Sequence, residues 1–95
     1  MSRTPLIAGN WKMFTTADEA VELCRAVRER VDGLAGVEVA VCPPFPHLER
    51  AKAALEGSRV GLGAQNVHWE EHGAFTGEVS PKMLQSLVRY VIVGH

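Results

Sequence analysis

Four short apolar runs alternate with three stretches of helical spacing, and this alternation constrains the fold of the 95 residues more than any other feature. The runs are Leu6-Ile7-Ala8, which reads as a buried strand, and residues 37–42, 60–65 and 90–93. After the first, Thr16 with Glu19 three positions on spells a capping box, in which hydroxyl and carboxylate each satisfy a backbone N–H. Ala20, Leu23, Cys24, Val27 and Val31 then recur at helical spacing, and Asp32-Gly33 closes the helix, with Gly33 expected as a left-handed cap. Pro43-Pro44 ends the second run, since neither proline can donate to a ladder. Leu48, Ala51 and Leu55 predict a second helix over 46–56, stopped by Gly57. Gly61 and Gly63 weaken the third run, so they mark close backbone approach or packing against a bulky neighbour. They are not a dinucleotide fingerprint, because Asn66 stands where the third glycine belongs. Residues 66–79 form a long loop holding Trp69 and Phe75. Ser80-Pro81 then opens a third helix with Met83, Leu84, Leu87 and Val88 on its apolar face.

The order βαβαβαβ predicts an α/β fold with parallel strands and right-handed crossovers. Ligands of such folds sit at the carboxyl ends of the strands. There the first strand presents Asn10 and Lys12, the third Gln65 and Asn66, and the fourth His95. Four parallel strands leave open edges and uncovered apolar faces. A complete (β/α)₈ barrel takes about 250 residues. Residues 1–95 are therefore expected to be the first half of such a barrel, an incomplete domain.

Composition removes other classes. A formal net charge of −1 gives no basic excess for nucleic acid. The apolar runs are too short to span a membrane. Met1-Ser2-Arg3-Thr4 leads straight into a strand, without the pattern of a signal peptide. Cys24 and Cys42 lack CxxC spacing and fit buried thiols in a reducing cytoplasm.

The segments AGNWKM at 8–13, GAQN at 63–66, GAFTGEVSP at 73–81 and the terminal VIVGH together resemble the triosephosphate isomerase family, in order and spacing, over essentially the whole chain. The resemblance implies a (β/α)₈ TIM barrel that interconverts dihydroxyacetone phosphate and glyceraldehyde 3-phosphate in glycolysis and gluconeogenesis, without metal or organic cofactor, as a cytoplasmic homodimer. It assigns Asn10 and Lys12 to substrate binding, Lys12 also to catalysis, and His95 to the catalytic electrophile. In that family a glutamate takes the proton from the carbon beside the carbonyl, while a histidine polarises the carbonyl oxygen. The chemistry of these residue types agrees. An ammonium offsets the charge of an enediolate and a phosphate, and an amide donates a hydrogen bond without ionising. An imidazole can return a proton between two oxygens. The family's catalytic glutamate, lid and later phosphate loops match nothing here, and Glu70, Glu71 and Glu78 do not align with that glutamate. The 95-residue chain by itself is expected to be inactive.

Two other readings compete. His68-Trp69-Glu70-Glu71-His72 matches the H-x-x-E-H pattern of a zinc hydrolase, which needs the histidines one helical turn apart and a third ligand. His47 is the other nearby histidine. Alternatively the chain is a non-catalytic dimerisation or complementation fragment. By the resemblance, the loop over 66–79 reaches a neighbouring subunit, with Trp69 and Phe75 as anchors and Thr76 approaching the other active site.

Overall fold

The computed structural model describes residues 3–95. Met1 and Ser2, on which the reading of the N-terminus partly rests, lie outside the described residues. The elements follow the expected alternation: β1 (Leu6–Asn10), α1 (Ala17–Val31), β2 (Glu38–Cys42), a 3₁₀ turn (Phe45–His47), α2 (Leu48–Ala54), β3 (Gly61–Ala64), α3 (Pro81–Leu84) and β4 (Tyr90–Val91). The strands form one sheet in the order β1-β2-β3-β4, every pair parallel. Leu6 pairs with Glu38 and Asn10 with Cys42, so β1 and β2 end level with each other.

Local chemistry starts the helices where the sequence places them. Thr16 Oγ1 accepts from the Glu19 N–H at 3.3 Å, and Glu19 Oε1 accepts from the Thr16 N–H at 2.8 Å. Ser80 Oγ accepts from the Met83 N–H at 3.2 Å. Gly57 takes the left-handed conformation after α2 at φ 77°. Gly33 does not. Asp32 caps α1 in a right-handed conformation, and Gly36 is the glycine that turns left-handed before β2, at φ 80°.

The core lies between the sheet and its helices. Cys24 of α1, Leu48, Ala51 and Leu55 of the α2 region, Val60, Leu62 and Ala64 around β3, and Leu84 of α3 pack with Val41. Full burial of a leucine or valine is worth about 1.5–3 kcal/mol, so this layer supplies most of what orders the sheet. Arg28 fastens α1 to α2 by donating to the carbonyls of Ala54 and Glu56, at 2.9 and 3.0 Å. The Ala54 carbonyl is one of the orphans at the end of α2, and Glu56 lies just past its cap.

Three expectations change. β1 was expected as a buried strand, yet Leu6 is 44% and Ile7 61% exposed. It is an edge strand, with a neighbouring strand on one side only among the described residues. The third helix is regular only through Leu84 and Met83 is exposed, while Leu84 is buried in the core and Leu87 and Val88, just past the helix, pack against it half-buried. β4 is regular over Tyr90 and Val91, flanked by N–H groups of Arg89 and Ile92 that donate to the carbonyls of Leu62 and Ala64 at 2.8 and 2.9 Å.

Candidate functional site

All four strands point the same way, so Asn10, Gln65 and the segment running to His95 lie at one end of the sheet. The turn after β1 is the most constrained part of that end. Lys12 has φ 55° and Thr15 φ 83°, both left-handed and neither a glycine. A non-glycine residue there costs roughly 1–3 kcal/mol and persists only when its surroundings over-determine it.

The surroundings do so through four residues. Asn10 Oδ1 accepts from the Lys12 N–H at 2.9 Å. Gln65, just past β3, donates from Nε2 to the Lys12 carbonyl and to the Cys42 carbonyl, each at 2.8 Å. His47 Nε2 stands 3.1 Å from the Thr15 carbonyl, and that nitrogen must carry the hydrogen because a carbonyl only accepts. The Cys42 carbonyl also takes the Trp11 N–H at 3.1 Å, so one oxygen at the end of β2 ties together the chain leaving β1 and the side chain leaving β3.

The same logic fixes both amides. The Asn10 oxygen must face the Lys12 N–H, which leaves its NH₂ as a donor at the strand ends. Gln65 faces two carbonyl oxygens, so the nitrogen must lie between them. The Lys12 side chain is exposed, and the ion pairs among the described residues, Arg28–Asp32 and Arg50–Asp18, do not involve it. His95 is exposed four residues beyond the last paired residue of β4. A strand-end site with one exposed ammonium, one oriented amide and one imidazole can hold an anion and stabilise charge developing on a nearby oxygen. The sequence reading named Asn10, Lys12 and His95 but gave Gln65 no role. Its signal was only its position at the end of the third apolar run.

The H-x-x-E-H segment lacks the helical geometry that the zinc-hydrolase pattern needs. Residues 69–72 are bends, and no residue of 68–72 is helical. His68 and His72 line one cavity of about 150 Å³, with Phe75 and Ser80, whereas Glu71 lines a different one, with Lys82 and Arg89. Among the described residues no three metal-ligating groups converge. His68 instead packs between Trp69 and Phe75, each ring centroid 4.4 Å from its own. His47 serves the Thr15 carbonyl. Trp69 remains 83% exposed, Phe75 is 43% exposed, and Thr76 is exposed beside it.

Comparison with known proteins agrees with this geometry. The family model described as triosephosphate isomerase matches residues 5–95. The triosephosphate isomerase of Carboxydothermus hydrogenoformans is 58% identical over 94 residues, covering 98% of this chain and 38% of that protein. That of Clostridium perfringens is 53% identical over 94 residues with the same coverage. The crystal structure of triosephosphate isomerase from Bartonella henselae superposes with a TM-score of 0.89 at 38% identity, again covering 98% of this chain and 38% of that one. The chain thus spans about 38% of the length of the relatives it matches. Those strands, in that order, are the N-terminal portion of the matched proteins, and the chain belongs to the triosephosphate isomerase family.

Proposed function

We propose that these residues form one side of a triosephosphate isomerase active site, within the N-terminal half of a barrel. The observation that carries the reading is the turn at Lys12: a lysine held at φ 55° beside an amide whose donor is oriented by the same turn. In the proposed reaction a glutamate outside these residues takes a proton from the carbon next to the carbonyl of dihydroxyacetone phosphate. The electron pair moves onto the carbonyl oxygen to give an enediolate, and a proton returned to the neighbouring carbon gives glyceraldehyde 3-phosphate. His95 polarises the carbonyl and moves a proton between the two oxygens. Asn10 donates to oxygen, and the Lys12 ammonium offsets the charge of phosphate and enediolate.

The test is a chimeric barrel in which residues 5–95 replace the matching segment of the Carboxydothermus hydrogenoformans enzyme. The chimera is expected to interconvert the two triose phosphates, and Lys12→Ala to lower kcat/KM by about 10²-fold or more. A chimera whose turnover is unchanged by Lys12→Ala overturns the reading.

The same reading includes a homodimer through the loop over 66–79. Trp69, Phe75 and Thr76 supply an exposed aromatic and polar patch of the kind that anchors interfaces. Sedimentation of the chimera with Trp69→Ser is expected to show weakened dimers; a mass unchanged down to nanomolar concentration would remove the loop from the interface.

A further inference from the structure

We infer that Gln65 is a positioning residue for Lys12, acting from β3 on a turn that belongs to β1. The inference rests on the isomerase reading above and adds to it the group that holds the catalytic lysine in place.

The argument starts from what the turn lacks. The Asn10 side chain fixes the N–H of Lys12, which orients the peptide before the residue. Nothing local fixes the peptide after it. Left to its own preferences, a lysine leaves φ 55°, because in that conformation its Cβ crowds the carbonyl that follows. The Gln65 NH₂ group supplies the missing restraint: one hydrogen points to the Lys12 carbonyl and the other to the Cys42 carbonyl. The second bond references the turn to β2, whose Cys42 is 2% exposed and paired with Asn10 in the sheet. Asn10 and Gln65 therefore grip the two peptides on either side of one α-carbon, and the direction of the Lys12 side chain follows from both.

The side chains closest to glutamine in shape and length cannot do this. Both partners are acceptors, so the group between them must carry two hydrogens and no charge that repels oxygen. Glutamate has nearly the same shape and presents oxygens to oxygens. Methionine has nearly the same length and volume but no donor.

The experiment uses Gln65→Glu and Gln65→Met in the chimeric barrel, alone and combined with Lys12→Ala. Each single variant is expected to lose about 10²-fold in kcat/KM, the scale of a small misplacement of a catalytic group. The loss should include a raised KM for triose phosphate, because the ammonium no longer meets the phosphate. In the Lys12→Ala background the same changes are expected to cost about twofold or less, since residues acting as one unit are not additive. A purely structural role predicts a lowered Tm, an unchanged KM and additive losses, and that pattern overturns the proposal. So does full kcat/KM in either variant. A crystal structure of Gln65→Met with Lys12 still at positive φ overturns it independently of activity. If Lys12→Ala itself has no effect, the isomerase reading has failed, which is a different outcome from a Gln65 variant that matches the parent.

Discussion

The phenol hydroxyl of Tyr90 in β4 donates to Oε2 of Glu38 in β2 at 3.0 Å, reaching across β3. It passes over Gly61, where an added Cβ would lie 2.9 Å from the Tyr90 ring. The glycine is the gap that lets the aromatic side chain lie flat on the sheet. Gly61→Ala must push that ring off its bond to Glu38. We expect the substitution to destabilise the chimeric barrel by about 1–3 kcal/mol, the usual cost of overpacking. Urea unfolding with an unchanged midpoint would show that the ring is not seated there in solution.

Gly63 makes the same case at the next inward position. An added Cβ would lie 2.7 Å from Cys42 Sγ and 3.4 Å from Tyr90 Cβ. Gly63→Ala is expected to cost a similar amount, and Cys42→Ala to recover part of it by removing the sulfur. The double-mutant cycle in urea checks this, and additive losses would rule out the contact.

Asp32 gives the fold a dependence on pH. The Ser58 hydroxyl, 2.6 Å from its carboxylate, holds its pKa below the ordinary value, helped by the Arg59 N–H and the charges of Arg28 and Arg59. With a folded value below the unfolded one, the carboxylate contributes stability above the unfolded pKa of about 3.9 and loses it as pH falls through the folded value. Asp32→Asn should therefore lower the Tm at pH 7, and the gap to the parent should shrink below about pH 4. A gap constant from pH 7 to pH 3 contradicts the assignment.

Cys24 and Cys42 are both free and buried. Burial pushes the Cys24 thiol up to about 11 and raises that of Cys42 as well. Since thiolate is the reactive form, neither is expected to react with a disulfide reagent at pH 8 in the folded protein, and both should react in urea. Fast labelling of Cys42 without denaturant would mean that the sheet opens locally.

The 95-residue polypeptide on its own is expected to show no isomerisation above buffer and to self-associate. β1 and β4 are both edges, and Ile7 and Val93 expose apolar surface beside them. Turnover that survives repurification and disappears with Lys12→Ala would refute the first point; a compact monomer by sedimentation at micromolar concentration would refute the second.

What the sequence by itself determined is whatever short-range chemistry decides. The capping box Thr16–Glu19 and the Ser80-Pro81 start of α3 depend on residues within one turn of one another, and each is where its signal places it, whereas α2 ends at Ala54, before the left-handed Gly57. The parallel order follows from alternation alone, and the strand-end residues Asn10, Lys12 and His95 could be named because strands of one direction end together. Tertiary structure decided the rest. Leu6 and Ile7 are as apolar as a buried strand, yet their exposure depends on which elements pack beside β1. His68 and Glu71 sit near each other in the sequence but line different cavities, because a loop without helical periodicity has no fixed face. The grip on Lys12 joins residues 53 positions apart, from β1 to β3 through the end of β2. No local pattern encodes a hydrogen bond between a side chain and a distant carbonyl; it exists only once the sheet has brought the two strand ends together.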